Sequence, residues 1–203
     1  MKKLYASLLL LALMVVGASA PATAHVDNAN ASNIDIGSTV SDFKLPDANG
    51  KEHSLASLRG KNGTVFIFIS VQCPVSNAYN KRMAQLAEQY KARGVNVVGI
   101  NSNVAETPEA IKQHAAENGL NFTILKDKSN KIADVLGARV TPEAYYLDAS
   151  NKLVYRGRID DADPRRGSEP TSEDLRNAID ATLNGKPVEK AQALAFGCSI
   201  KRG

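Results

Sequence analysis

The first cysteine of the chain has the sequence context of a reactive thiol. Cys73 follows the β-rich apolar run 64–70 and directly precedes Pro74, which suits the first position of a helix because no backbone N–H is needed there. A thiol at a helix start faces unpaired N–H groups and the positive end of the helix dipole, and both favour the nucleophilic thiolate. The sequence therefore predicts a nucleophile at Cys73. The alternative is a buried, inert structural cysteine.

The only other cysteine, Cys198, lies 125 positions further along, in a tail without strong secondary-structure signals. Two cysteines are too few for a disulfide scaffold but enough for one redox pair. A mobile tail would let Cys198 attack a sulfenate or mixed disulfide at Cys73 and resolve it. Two other roles stay open for Cys198, namely a permanent disulfide that pins the tail and an unpaired thiol.

Residues 1–24 have the pattern of a secretory signal peptide. Lys2 and Lys3 precede an apolar stretch, residues 4–16, that is too short to span a bilayer comfortably, and small-residue cleavage sites follow. We expect cleavage before His25, which would leave an exported, periplasmic or secreted protein of 179 residues, a length suited to one domain. The expected organisation is a flexible leader at 25–35, a domain at 36–185 and a tail at 186–203.

The charge of the chain gives no indication of nucleic-acid binding. The formal net charge of +4 becomes +2 without Lys2 and Lys3, and the other basic residues are scattered, apart from short pairs such as Arg165–Arg166. No Gly-rich phosphate loop or nucleotide motif is apparent. We expect no cofactor, no metal and no membrane contact after cleavage, so reducing power would come from a partner protein.

The order of predicted elements indicates an α/β fold with a mixed sheet. A hairpin around Asn49–Gly50 precedes a buried strand at 65–69, and the helix that begins after Cys73 is predicted to run to Arg93. Right-handed crossovers would place Cys73 at the carboxyl end of a central strand, where sites in such sheets lie. The remaining predicted elements are strands at 95–100 and 122–125, helices at 107–119 and 130–136, a hairpin of 144–147 with 152–159, and a helix from a capping box at 171–174 to 183–185.

Several short motifs accompany this layout and cover nearly all of the chain after the leader. They are Gly37–Phe43, Leu45–Gly50, Gln72–Val75, Asp127 with Ala138–Pro142, Tyr155–Asp160 and Gly197–Lys201. Together they resemble the thioredoxin-fold redoxins, the superfamily that holds peroxiredoxins and exported thioredoxin-like proteins. Within it, they are most similar to a peroxiredoxin-like subgroup with a C-terminal Gly-Cys-x-Ile-Lys motif.

The resemblance implies a fold and an activity. The fold would be thioredoxin-like, with a mixed central sheet flanked by helices and an N-terminal β-hairpin. The activity would be that of a thiol-disulfide oxidoreductase or a peroxiredoxin-like peroxidase. Its partners would be protein thiols and disulfides or small hydroperoxides, together with an electron-donating thiol protein.

The resemblance also implies roles for residues around the reactive cysteine. Thr141–Pro142 resembles the cis-proline loop that faces the active cysteine in thioredoxin folds, and Arg139, just before it, would hold a thiolate or a peroxide oxygen. Ser70 matches the hydroxyl found three residues before the peroxiredoxin cysteine. Ser76, one helical turn after the cysteine, is either a hydrogen-bond donor to the thiolate or a tolerated polar residue.

Three departures from the family patterns leave the substrate open. Ser76 stands where thioredoxins have a second cysteine, Phe66 replaces the peroxiredoxin proline, and Asn77 stands where copper-delivering relatives have their second cysteine. The sequence therefore favours neither a peroxide nor a disulfide decisively. The alternative from another class is a copper-binding or redox-chaperone module that uses the same two thiols, assisted by His25 if it is the N-terminus.

Overall fold

The computed structural model describes residues 34–203, so the predicted signal peptide and residues 25–33 of the leader lie outside the described residues. The strands are β1 (Lys44–Pro46), β2 (Glu52–Ser54), β3 (Gly63–Phe68), β4 (Val95–Asn101), β5 (Ile124–Lys126), β6 (Val140–Thr141), β7 (Glu143–Leu147), β8 (Leu153–Gly157) and β9 (Cys198–Ser199). The helices are α1 (Leu55–Leu58), α2 (Pro74–Ala78), α3 (Asn80–Lys91), α4 (Pro108–Glu117), α5 (Lys131–Leu136) and α6 (Asp174–Leu183), with a 3-10 turn at Pro164–Arg166.

The central sheet is mixed, as predicted, and has the strand order β5-β4-β3-β7-β8. Strands β3, β4 and β5 run parallel to one another, whereas β7 and β8 are antiparallel. Every residue of β3 is buried, as expected for a strand covered on both faces. The predicted N-terminal hairpin is also present, because β1 pairs antiparallel with β2 around Gly50, whose φ is +81°.

The apolar face predicted for the helix after Cys73 is buried in one of two hydrophobic cores. The residues of this face, all at most 5% exposed, are Val75, Tyr79, Met83, Leu86 and Tyr90. The second core lies on the opposite face of the sheet, where α5 packs on side chains such as those of Phe66, Phe68 and Tyr145. These two cores fix the end of β3, and therefore the loop that carries Cys73. No helix among residues 34–203 combines the length and the apolarity that crossing a bilayer demands.

The prediction of one continuous helix from Pro74 to Arg93 is wrong, because the chain breaks at Tyr79 into α2 and α3. The N–H of Tyr79 donates to the carbonyl of Ser76, three residues back, which tightens the last turn of α2. The Tyr79 hydroxyl is held by Asp160, at 2.8 Å. The interruption makes α2 a short helix whose start is the site of Cys73.

The predicted capping box at Thr171–Asp174 is also wrong. Helix α6 begins at Asp174 after Glu173, with no side-chain cap. The N–H and the hydroxyl of Thr171 donate instead to the carboxylate of Asp161, and Asp174 accepts from Arg158. The Thr171 hydroxyl and the Asp174 carboxylate, which a capping box would have paired with backbone N–H groups, therefore have partners outside the helix.

The C-terminal tail, whose sequence has no strong secondary-structure signal, is packed onto the domain, and its mobility stays a prediction. Gln192 of the tail forms a parallel β-bridge with Arg156 of β8, and β9 pairs antiparallel with β6. Ile200 is 5% exposed and belongs to the second core. The sequence did not reveal this because a two-residue strand has no period, and its partner lies about 60 positions earlier.

Candidate active site

Cys73 lies at the carboxyl end of β3 and is the N-cap residue of α2, as its sequence context predicted. Its sulfur accepts a hydrogen bond from the backbone N–H of Ser76, at 3.3 Å. The carbonyl oxygen of Thr141 lies 3.2 Å from the same sulfur and accepts from its protonated form. The Cys73 residue is 2% exposed, so the thiol is sheltered, with hydrogen-bond partners on two sides.

The loop beneath Cys73 is held by Ser70 and by Glu106, a residue that the sequence analysis missed. The Ser70 hydroxyl accepts from the N–H of Cys73, at 3.1 Å, and donates to the Glu106 carboxylate, at 2.6 Å. Glu106 is 3% exposed and also accepts from the N–H groups of Val71, at 2.9 Å, and Gln72, at 3.1 Å. Burial alone would raise the pKa of Glu106, but these hydrogen bonds bring it below its usual value, so a carboxylate anchors the loop.

Glu106 is itself embedded in a buried polar network at the carboxyl end of β4. The side-chain amides of Asn101 and Asn103 donate to its carboxylate, and Lys126 donates to the Asn101 side chain, at 2.9 Å. Burial lowers the pKa of Lys126. Asn103 also accepts from the N–H of Lys201, at 2.7 Å, so the same network contacts the tail. An acid that follows β4 at the sheet edge shared with Cys73 is the signal that could have indicated Glu106.

The pairing of β9 with β6 places Cys198 opposite Thr141 and brings its thiol within hydrogen-bonding reach of Cys73. Both thiols are free in this structure. The predicted disulfide between the two stays a prediction. Strand β9, which carries Cys198, packs against α2, so both cysteines lie beside this helix.

The two thiols have opposite pKa shifts. Burial raises the pKa of Cys73, but hydrogen bonds from Cys198 and from the Ser76 N–H outweigh it and leave the pKa below its ordinary value. Burial and the negative charge of the Cys73 sulfur raise the pKa of Cys198. Of the two thiols, Cys73 is therefore the one that loses its proton first.

The other predicted site residues have unequal support from the geometry. The Thr141–Pro142 bond is cis, as predicted, and faces Cys73. Ser76 contributes its backbone N–H, while its hydroxyl accepts from the N–H of Ser70 and does not contact the sulfur. Arg139 uses its backbone N–H and carbonyl for neighbouring residues, and its exposed side chain is not among the partners of the sulfur within residues 34–203. Its predicted role stays a prediction without a contact to support it.

Arg165 is a second residue of this region that the sequence did not indicate. It lies in the 3-10 turn that packs against α2, and its guanidinium grips Asp163 through two hydrogen bonds of 2.8 and 2.7 Å. The hydrogen bonds to Asp163 raise the pKa of Arg165, and negative charge on Cys198 and Cys73 raises it further. The turn that carries this positive charge therefore packs beside the helix whose start carries Cys73.

The described residues offer few donors for the copper alternative. Within residues 34–203, no three His, Cys, Asp or Glu side chains are grouped as a metal site. His53 pairs with Asp47, at 2.9 Å, and His114 with Asn80, at 3.1 Å. His25 lies outside the described residues. The two thiols are therefore the donor set that this alternative would have to use.

Comparison with known proteins identifies the relatives of this chain. A profile of the AhpC/TSA family matches residues 36–156. Thiol-disulfide oxidoreductase ResA from Geobacillus thermodenitrificans is 30% identical over 118 residues, which are 58% of this chain and 66% of that protein. Chloroplastic peroxiredoxin Q from Populus jackii is 28% identical over 150 residues, 70% of this chain and 69% of that protein. The chain thus spans about two thirds of the length of each relative.

A similar solved structure covers more of the chain. The crystal structure of a hypothetical protein from Sinorhizobium meliloti 1021 is 38% identical, has a TM-score of 0.78, and covers 85% of this chain and 97% of that one. The predicted thioredoxin-like α/β fold and the resemblance to redoxins are confirmed by these similarities. The resemblance to a subgroup through residues 197–201 stays a prediction, because the family profile ends at residue 156.

Proposed function

This chain belongs to the AhpC/TSA family and is an oxidoreductase, and on that premise we propose that Cys73 is its attacking thiolate and Cys198 its resolving partner. The observation that supports this most is the contact of two free thiols whose pKa values shift in opposite directions at the start of α2. The substrate would be a disulfide or a hydroperoxide. An electron-donating thiol protein would then reduce the oxidised pair.

The two sulfurs can supply both electrons that reduction of either substrate requires. With a hydroperoxide, the Cys73 thiolate attacks the terminal oxygen, an S–O bond forms, the O–O bond breaks, and an alcohol or water leaves with one proton. The sulfenate takes up a proton from solvent to give a sulfenic acid. The Cys198 thiol then loses its proton and attacks the sulfur of that acid, a disulfide forms, and the hydroxyl group leaves as water with that proton. With a disulfide, Cys73 displaces one thiolate to give a mixed disulfide, and Cys198 displaces the other.

The surrounding residues would act as positioning groups. The Ser76 N–H and the start of α2 stabilise negative charge on the Cys73 sulfur. Ser70 and Glu106 hold the backbone of the loop, so the sulfur stays in line with Cys198. The raised pKa of Cys198 keeps a proton available until Cys73 has been oxidised, after which the loss of its negative neighbour favours a second thiolate.

We also propose that the mature protein acts outside the cytoplasm. The support is the signal-like composition of residues 1–24 and a cysteine pair suited to a compartment where disulfides form. N-terminal sequencing of protein recovered from an extracytoplasmic fraction is expected to begin at His25. Full-length protein found only in the cytoplasm would contradict export.

The catalytic proposal is tested by mixing the reduced protein with hydrogen peroxide and following both thiols by mass spectrometry. We expect wild type to end with one intramolecular disulfide and no free thiol. Cys198→Ser should accumulate Cys73 as a sulfenate that dimedone traps, or as an intermolecular dimer, and Cys73→Ser should form neither. Oxidised wild type with both cysteines free, or with dimers linked only through Cys198, would disprove the intramolecular cycle.

A further inference from the structure

The end of the tail is paired along an edge of backbone directly beside the reactive thiol. In the ladder between β6 and β9, Val140 faces Ser199 and Thr141 faces Cys198. The pairing continues with the N–H of Ile200, which donates to the carbonyl of Arg139, at 2.9 Å. The segment 197–201 is therefore laid as a short strand along residues 139–141.

A second set of contacts holds the far side of this segment. The carbonyl of Lys201 accepts from the N–H of Val104, at 3.0 Å, and the N–H of Lys201 donates to Asn103, at 2.7 Å. Ile200 is buried in the core. The segment is thus clamped between the loop after β4 and the edge at residues 139–141.

The residue types of the chain permit this close approach at two glycines. A Cβ at Gly197 would lie 1.9 Å from the carbonyl oxygen of Thr141, and a Cβ at Gly157 would lie 1.9 Å from the carbonyl oxygen of Ala193. No side chain can occupy either position without a shift of backbone. The glycines at positions 157 and 197 therefore allow the tail to lie this close to the backbone of the domain.

The docked segment has the arrangement that a bound substrate peptide would need. An extended peptide binds an open strand edge through backbone hydrogen bonds, and a cysteine on it opposite Thr141 would point at Cys73, as Cys198 does. Cys73 is 2% exposed. A disulfide within a peptide can reach its sulfur along this edge only after the tail has left, whereas a small hydroperoxide has no backbone to accommodate.

We propose that segment 197–201 occupies the peptide-docking edge of this enzyme and thereby selects small hydroperoxides over peptide and protein disulfides as oxidants of Cys73. The proposal rests on the proposed role of Cys73 as the nucleophile. The thiolate transfers two electrons to the peroxide, whose O–O bond breaks as the sulfenate forms. A peptide disulfide must compete with the tail, so its rate is reduced to the fraction of molecules in which the tail is undocked.

The test compares the full chain in three forms: wild type, Gly197→Ala and the matched control Gly185→Ala. Gly185 has φ +65° and open space around it, so its alanine variant carries backbone strain without a clash against the edge. Cys73 oxidation is timed by stopped flow and trapping, once with hydrogen peroxide and once with a short peptide that contains a disulfide. Amide exchange at Ile200 reports whether the tail has left the edge.

We expect Gly197→Ala to react with the peptide disulfide about tenfold faster than wild type, equivalent to about 1.4 kcal/mol of removed competition. Its rate with peroxide should not rise, because undocking also takes the Cys198 hydrogen bond away from the Cys73 sulfur, and Gly185→Ala should match wild type with both oxidants. Ile200→Ala, which weakens the same docking from the core side, should reproduce the effect if Gly197→Ala does not fold.

Two outcomes separate this proposal from the one on which it rests. If Cys73 of wild type reacts with the peptide disulfide as fast as it does in the undocked variants, the tail is no selector and the proposal is overturned, although Cys73 remains the nucleophile. If Cys73 reacts with neither oxidant faster than a free cysteine in any variant, the proposed catalytic role itself fails.

Discussion

At the scale of single residues, the position of one proton between Cys73 and Cys198 decides which sulfur attacks. The hydrogen bond from Cys198 is the largest of the contributions that lower the pKa of Cys73. We expect Cys198→Ala to raise the pKa of Cys73, and Cys198→Ser, which keeps a donor, to raise it less. Because alkylation requires the thiolate, its rate falls as the pH drops through this pKa, and the fall should start at higher pH in Cys198→Ala.

The rate of iodoacetamide alkylation of Cys73, measured between acidic and alkaline pH, gives the pKa of Cys73 in wild type, Cys198→Ser and Cys198→Ala and so checks their order. Identical pH profiles for wild type and Cys198→Ala would show that Cys198 does not tune the thiol. If Cys198→Ala and Cys198→Ser raise the pKa of Cys73 equally, the hydrogen that residue 198 donates is irrelevant and only the loss of its sulfur matters.

Glu106 gives a second prediction at this scale, one of stability. The two carboxylate oxygens of Glu106 accept from different N–H groups, one from Val71 and the other from Gln72, so in Glu106→Gln an amide NH2 group would face one of these donors. We expect a loss of about 1–3 kcal/mol in the free energy of unfolding at neutral pH. The pKa of Glu106 is lowered on folding, so its contribution is fully present above the unfolded pKa and is lost as the pH falls through the folded pKa.

Urea unfolding at several pH values tests both parts of that prediction. Wild type should lose stability relative to Glu106→Gln as the solution is acidified, so the two curves converge. The control is Glu117→Gln, an exposed acid on α4, which should change the free energy of unfolding by well under about 1 kcal/mol. A constant gap between wild type and Glu106→Gln at all pH values would contradict the assignment of an ionised Glu106.

At the scale of elements, Asp174 connects the end of β8, the start of α6 and the tail. Its carboxylate is 1% exposed and accepts from Arg158 and from Lys190. We expect Asp174→Asn to lower the free energy of unfolding by about 1–3 kcal/mol, since both cations are partly solvated and retain some hydration. Asp180→Asn, whose carboxylate is 45% exposed beside Arg93, should cost less than about 1 kcal/mol, as measured in the same denaturant series.

The elements that could be predicted from the sequence are those with a local signal. The apolar run of β3, the proline after Cys73 and the periodic face of α2 and α3 gave the position of the thiol, and the Asn49–Gly50 turn gave the hairpin. These signals act over a few residues. Their physical causes, namely burial, capping and turn geometry, are visible in the order of residues alone.

The elements that could not be predicted depend on partners far along the chain. The hydrogen bond from Ser70 to Glu106 spans 36 positions, and β9 pairs with a strand about 60 positions earlier. A lone glutamate or a two-residue strand has no period that would mark it. Likewise, the position of Arg165 near the thiols follows from the docking of its loop on α2, which composition does not encode.

At the scale of the whole molecule, a disulfide between Cys73 and Cys198 would close a loop of most of the domain. The tail that carries Cys198 is already paired with Thr141, whose carbonyl oxygen lies 3.2 Å from the Cys73 sulfur. Chain-entropy arguments give up to about 4–5 kcal/mol for a loop of this size. For a domain of this length we expect the oxidised protein to melt about 10 °C or more above the reduced protein.

Calorimetry of the oxidised and the dithiothreitol-reduced protein measures this difference, with Cys198→Ser as a control that oxidant should not stabilise. Equal melting temperatures in the two wild-type states would show either that the disulfide strains the docked tail or that the tail is already restrained in the unfolded chain.

The distance between the two cysteines along the chain also has a consequence for the timing of biosynthesis. At about 5–20 residues per second, a ribosome adds the 125 residues from Cys73 to Cys198 in about 6–25 s. During that interval Cys73 lacks the neighbouring thiol that contributes most to lowering its pKa. Cys73 therefore reaches its full reactivity only after Cys198 has been made and the segment that carries it has docked, when the sulfur proposed to resolve it is already beside it.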